Sequence, residues 1–374
     1  MLHFDCRDIV RRFQENIYKY KKGSRMKITK SKKIIFAAIV LPIIALAAVC
    51  IYFRYPQYEL IELGTLNGEY TTAIAINNIG QIVGCSKVDN NDHAFIWDEK
   101  TGIKDLGTLG GAESFAWDIN DKGQVVGQSD TAEGFKHAFL WDPDKGMIDL
   151  GTLGGLMSMA FALNNQGQIV GNTRTTDGQT HAFLWHASTG MTDLGTLYGK
   201  STTARDINER GQIVGSVIME NSSLNNHAFY WDKTSGMIDI VGSKGQSSYA
   251  NSINNSGMVA GNIFDPNKNN YDAFIWQKEK GLTRFNIPAI ESYADEINNK
   301  GQIVGHIRKE KFLFIPAKKY YFLRTKRGRI INLNRFTGSE GYSIEAKDIN
   351  DNGWIAGEHT RGSSTTRAIL LKPR

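Results

Sequence analysis

The sequence predicts an all-β fold: a seven-bladed β-propeller with four-stranded blades, closed by the N-terminal strand and preceded by one N-terminal transmembrane helix. Three observations carry this expectation. One unit of about 44 residues recurs seven times, each copy holds four short apolar runs bounded by turn residues, and the two ends of the array complement each other.

The chain begins with a basic segment, residues 1–33, which holds eleven Lys and Arg against three acids. That excess is larger than the net charge of +6 for all 374 residues, so the remainder is slightly acidic. A body of that charge lacks the electrostatic footprint of a nucleic-acid binder, and no nucleic-acid partner is expected. Residues 34–53 (IIFAAIVLPIIALAAVCIYF) form an uncharged run of twenty. At 1.5 Å per residue such a run spans roughly 30 Å, the hydrocarbon core of a lipid bilayer. Lys27, Lys30, Lys32 and Lys33 precede it and only Arg54 follows closely. The positive-inside rule then makes residues 34–53 a single-pass signal anchor, with a cytoplasmic N-terminus and a periplasmic or extracellular body. Two variants stay open: a start at Met26, and cleavage after Ala45-Leu46-Ala47. Residues 54–57 read as a short linker and residues 58–374 as the propeller.

Each unit runs from a small-residue segment ending in Ile-Asn, through a Gly turn, to Gln-Ile-Val-Gly. His-Ala-Phe-Leu-Trp and Gly-Met-x-Asp-Leu-Gly-Thr-Leu follow. The Ile-Asn landmark falls at Asn77, Asn120, Asn164 (after Leu163), Asn208, Asn254, Asn298 and Asn350. Short apolar runs flanked by Gly, Asn and Asp are strand and turn signals, and Asn-Asp-Lys-Gly at 120–123 suits a hairpin with Gly at positive φ. In the sixth copy Tyr321-Phe322-Leu323 takes the place of the His-Ala-Phe strand. The seventh copy ends as Arg367-Ala368-Ile369-Leu370-Leu371 and lacks its fourth strand, while Tyr58–Leu66 precedes the first full copy with that missing sequence. Pairing these ends closes a ring and removes free sheet edges. A parallel β-solenoid would not require complementary ends.

His-Ala-Phe-Leu-Trp at 137–141 and 181–185, Asp-Leu-Gly-Thr-Leu-Gly-Gly at 105–111 and 149–155, and Ile-Asn-Asp-Lys-Gly-Gln-Val-Val-Gly at 119–127 make the body similar to the HAF-repeat family of probable extracellular repeat proteins. The resemblance covers roughly residues 60–374, though copies five to seven lose the His and most of the Gly-Thr-Leu signature. It implies an exported location and transfers neither an activity nor a functional residue.

The recurring His93, His137, His181 and His227 begin the same strand of different blades, which places them apart and makes them structural. Trp97, Trp141, Trp185, Trp231 and Trp276 read as packing between blades. Asp118-Ile119-Asn120-Asp121-Lys122-Gly123 superficially resembles a calcium loop, but Ala75, Ala162 and Ser252 replace its first Asp in other copies, so an Asx turn is the better reading. No catalytic constellation, cofactor motif or metal site is recognised, and no cofactor is expected. Cys6, Cys50 and Cys85 place only one cysteine in the body, so no disulfide can form within it.

One position varies while its neighbours stay nearly fixed: Ile74, Trp117, Phe161, Arg205, Asn251, Asp295 and Lys347, two before the Ile/Leu-Asn landmark. On the innermost strands these residues either pack between blades or line one end of the channel. Trp117, Phe161 and Arg205 are the candidate ligand-binding residues. Loops that differ between copies, 129–136, 172–180, 216–226, 262–271 and 361–366, are expected on the same face. The functional expectation is a membrane-anchored extracytoplasmic module, without enzymatic activity, that binds a protein or glycan. The alternatives are a propeller-type hydrolase or lyase, and a structural element of an envelope assembly.

Overall fold

A computed structural model describes residues 58–374 apart from 69, 198, 220–225, 243–245, 286, 288, 310–317, 337–341 and 362–364. The expected basic segment 1–33, membrane helix 34–53 and linker 54–57 lie outside the described residues.

The sequence alternates small buried residues with polar ones inside each repeat, and every repeat becomes a four-stranded antiparallel meander. The second copy shows the plan: Gly110–Ile119, Val125–Thr131, Lys136–Asp142 and Gly146–Asp149 pair in that order. Five sheets have four strands each. The third and fourth repeats form one eight-stranded sheet, because a single parallel bridge, Thr180 to Ser201, joins two such units. The seven repeats therefore give seven four-stranded blades in a β-propeller.

The complementary ends meet. Tyr58–Glu62 pairs antiparallel with the last strand, Thr365–Pro373, in the register Tyr58 to Pro373 and Glu62 to Ile369. It is the outermost strand of blade 7, next to the strand that ends the chain. Tyr321-Phe322-Leu323 does replace the His-Ala-Phe strand: Phe322 lies opposite Gly305 as Phe139 lies opposite Gly127.

The core sits between blades. Trp141 of blade 2 packs with Ala75, Val83 and Ala94 of blade 1, and Trp97 of blade 1 with Ala356, Ala368 and Leu370 of blade 7. Burying such side chains contributes about 1.5–3 kcal/mol each. The recurring histidines clasp the outer strands. His93 Nδ1 lies 2.8 Å from Asp105 Oδ2, and His137, His181 and His227 meet Asp149, Asp193 and Asp239 in the same way.

The expected variable loops are shorter than the sequence suggested. Ser129–Thr131 and Lys136 already belong to strands, as do Asn172–Thr175, Thr180, Ser216–Met219, Asn262–Asp265 and Asn270–Tyr271. Polar residues at these strand ends mask the continued pairing, so only 132–135, 176–179 and 266–269 remain as turns among the described residues.

Candidate functional site at the channel

Two rings of hydrogen bonds hold the innermost strands around an axis. Asn77 Nδ2 donates to Asn120 O, Asn120 to Asn164 O, Asn164 to Asn208 O, and so on through Asn254, Asn298 and Asn350 back to Asn77 O, at 2.8–3.2 Å. The same side chain's Oδ1 accepts from its own turn, as Asn120 does from Lys122 N and Gln124 N. The short Asn carboxamide separates its roles, an NH2 that donates outward and an oxygen that accepts two bonds inward, which suits Asn at all seven positions. The next residue repeats the arrangement. Asp121 Oδ1 accepts from Asn78 N, Asn165 Oδ1 from Asp121 N, and Glu209 Oε1 from Asn165 N, continuing through Asn255, Asn299 and Asp351 to Asn78.

Each innermost strand also carries a β-bulge at one fixed place. Ala116 pairs with Gly127 and Asp118 with Val126, leaving Trp117 without a partner in the ladder. The same skip occurs between Ala73 and Ala75, Ala160 and Ala162, Ala204 and Asp206, Ala250 and Ser252, Ala294 and Glu296, and Ala346 and Asp348. The seven variable residues are thus the seven bulge residues. A bulge releases one residue from the pleat and re-aims its side chain. Opposite it the chain needs glycine: a Cβ on Gly127 would lie 1.9 Å from Phe115 O, and one on Gly84 would lie 1.9 Å from Thr72 O. The Val-Gly of five repeats, like the Ala-Gly of the fifth and seventh, is the partner of a bulge.

These residues line an axial channel. Beside the Asn turns it is polar, with a volume of about 170 Å³. Above lies a section of about 300 Å³ bounded by Ile74, Trp117, Phe161, Arg205, Asn251 and Lys347 together with Asp118, Asp206, Glu296 and Asp348. Towards the blade-crossing face it widens to about 450 Å³, walled by Trp117, Phe161, Arg205, Tyr249, Asn251, Asn262, Asp295 and Glu296. Adjacent sections share lining residues, so they form one passage. The structure therefore brings the three sequence-selected residues Trp117, Phe161 and Arg205 to one cavity. Trp117 meets Phe161 edge to face at 6.0 Å, and the Arg205 guanidinium lies 5.9 Å from the Phe161 ring centre.

The four inner carboxylates are structural acceptors. Asp118 accepts from Leu163 N of the next blade at 2.9 Å and from Ile119 N at 2.7 Å. Asp206 does the same for Ile253 N, and Asp348 for Ile76 N. Ala162, Ser252 and Ala75 stand at the matching position of the receiving blades, so none of these three carboxylates reaches into a blade that carries another, whereas Glu296 and Asp348 occupy the position in adjacent blades. Glu296 instead reaches back to accept from Ser252 Oγ at 2.7 Å. Burial raises the pKa of Asp118, Asp206 and Glu296 above the ordinary carboxylate range, and the fields of neighbouring carboxylates add to it for Asp118 and Glu296. Asp348 is pushed up to about 6, again chiefly by burial.

Charges along the upper passage are unequally matched. Asp295 Oδ2 pairs with His306 Nδ1 at 2.8 Å, and Lys347 Nζ lies 2.7 Å from Glu345 Oε1 and 3.7 Å from Glu358 Oε1. Arg205 has no carboxylate within ion-pair distance among the described residues. Its guanidinium is open to the cavity, yet the surrounding walls desolvate it and lower its pKa. Sequence reading missed Tyr249 and Glu296 as wall residues and had Asn262 only as the start of a variable loop, whereas it lies in a strand. Tyr249 occupies a second variable position two before the bulge (Thr72, Phe115, Met159, Thr203, Tyr249, Tyr293, Glu345), which a period-two count from the first would have found.

Comparisons with known proteins agree with the architecture. Residues 192–288 match the model of a family described as "Protein of unknown function (DUF3466)", about a quarter of the chain. No curated protein matches the sequence. Among solved structures the chain is similar to a puromycin hydrolase, with a TM-score of 0.57 at 11% identity over 82% of this chain and 52% of that one. It spans about half the length of that enzyme. It is also similar to the β-propeller domain of the Trilobed protease from Pyrococcus furiosus, with a TM-score of 0.53 at 11% identity over 71% and 84% of the two chains. That domain has an open velcro topology, whereas here Tyr58–Glu62 seals the last blade. At these identities the likeness is one of fold: the chain is a β-propeller that carries a DUF3466-like segment.

Proposed function

We propose that this protein is a membrane-anchored, extracytoplasmic binding module of the HAF-repeat type, whose seven-bladed propeller takes its ligand in the channel at Trp117, Phe161 and Arg205. One observation carries the reading. The residue that varies most widely in chemical type between repeats is the bulge residue, and all seven bulges line one passage whose wide end holds an aromatic pair and an unmatched cation. Packing demands act on the fixed alanines and isoleucines beside them, which are buried. The bulge position itself accepts Ile, Trp, Arg, Asp and Lys on the same backbone, a freedom suited to recognition. The ligand class is a glycan or protein outside the cytoplasm, and catalysis is not part of the proposal.

Immobilised protein incubated with envelope extract tests it. Trp117→Ala and Arg205→Ala should each weaken capture at unchanged melting temperature. Undiminished capture by these variants, with loss on exchange of the 132–135 and 176–179 turns, would move the site to the rim. Turnover of substrates in a hydrolase or lyase panel would favour an enzyme instead. Anchoring has its own test: a reporter fused after Arg374 should be active only on the far side of the membrane.

A further inference from the structure

The wide cavity has a direction. Arg205 stands on one wall against the Phe161 ring, with Trp117 edge-on to the same ring, and these three come from consecutive blades. Asp295 and Glu296 line the same cavity two blades further round, Asp295 held by His306 Nδ1 and Glu296 by Ser252 Oγ. An anion entering the cavity is drawn towards Arg205, which has no carboxylate partner among the described residues, so its charged end faces that wall. A guanidinium open to the cavity and without a carboxylate partner has its donors available, and a bidentate anion is its natural complement.

The remaining groups say what the anion is attached to. Asn251 Nδ2 donates to Asn262 Oδ1 at 3.0 Å and to Ala294 O at 2.8 Å. Asn251 Oδ1 and Asn262 Nδ2 are thereby left without a protein partner among the described residues, one acceptor and one donor side by side. That combination suits a hydroxyl group, which gives one hydrogen bond and takes another. Phe161 and Trp117 supply apolar faces and edges against which a ring can lie. The cavity's volume, about 450 Å³, falls within the roughly 300–1,000 Å³ of small-molecule sites.

Resting on the proposed channel site, we infer that the ligand is an acidic saccharide: a sugar ring whose carboxylate meets Arg205, whose hydroxyls meet Asn251 and Asn262, and whose apolar face covers Phe161 and Trp117. A glycan chain would thread the cavity one ring at a time, with further rings at the rim.

Calorimetric titration of the full-length protein in detergent micelles separates the parts of this assignment. The probes are trigalacturonate, its methyl ester, and triglutamate as an acidic peptide. Trigalacturonate should bind at least about tenfold more tightly than its ester. Arg205→Gln should remove that preference, Arg205→Lys should restore part of it, and Trp117→Ala should weaken acid and ester alike, all at unchanged melting temperature. Equal binding of acid and ester would overturn the anion assignment, and tighter binding of triglutamate the saccharide assignment. Binding of none of the three would overturn the ligand class, while extract capture that still depends on Trp117 would leave the channel site standing. Capture that ignores Trp117 and Arg205 would instead remove the site on which this inference rests.

Discussion

Asn164 shows how much one side chain type can decide. Its Nδ2 reaches Asn208 O in the next blade while its Oδ1 takes Gln166 N and Gln168 N of its own turn. Asn164→Asp keeps the shape and loses the donor, setting a buried carboxylate against a carbonyl. The expected loss is about 1–3 kcal/mol at neutral pH, read by denaturant unfolding. It should shrink in acid, because the protonated carboxyl regains a donor. The inner carboxylates have their own pH signature. A carboxyl whose folded pKa is raised binds its proton more tightly when folded, so it favours the folded state in acid. That contribution is full below the unfolded value near 4 and is lost as pH rises through the folded value. For Asp348 the window runs from about 4 to about 6. Asp348→Asn should therefore narrow the stability difference between pH 4 and pH 7 relative to the parent, as melting temperatures across that range would show. An unchanged profile would mean that the carboxylate titrates as if in water.

At the scale of the strand, the bulge explains why Val-Gly recurs. Gly127→Ala forces a Cβ onto Phe115 O at 1.9 Å. It should cost at least the roughly 1–3 kcal/mol of an overpacked core, whereas Gly102→Ala, with nothing near its Cβ, meets only the strain of its positive φ. Comparing the two melting temperatures checks the claim. Much of this element was legible beforehand: four strands per repeat, the Asn turn, the structural histidines and the stand-in Tyr321-Phe322-Leu323 all follow from repetition. The bulge was not. A bulge changes the count of paired residues by one without altering composition, so Ala-x-x-Ile-Asn reads as plain strand until the partner's register is known. The variable position betrayed that something unusual happens there, and pointed to Trp117, Phe161 and Arg205. The alternation of Asp118 and Asp206 with Ala162 and Ser252 was visible too. Its reason, a carboxylate reaching across to the next blade's N–H, needed the geometry.

Across the whole molecule, closure joins residues more than 300 apart in the chain: Tyr58 lies opposite Pro373. Deleting residues 58–66 should leave the last strand as an open edge and produce aggregation, detectable by light scattering during refolding. Closure also brings the seven bulges onto one axis, and the claim that this axis is a binding site rather than a packing seam is the centre of the account. Blade 1 already holds Ile at its bulge, so the backbone accepts that side chain. The triple substitution Trp117→Ile, Phe161→Ile and Arg205→Ile converts blades 2 to 4 to the same occupant. Its melting temperature and its capture of envelope components, measured side by side with the parent, give the most direct test. A binding site predicts a melting temperature within a few degrees of the parent and capture abolished. A collapsed melting temperature, or a stable protein that captures as before, would contradict it.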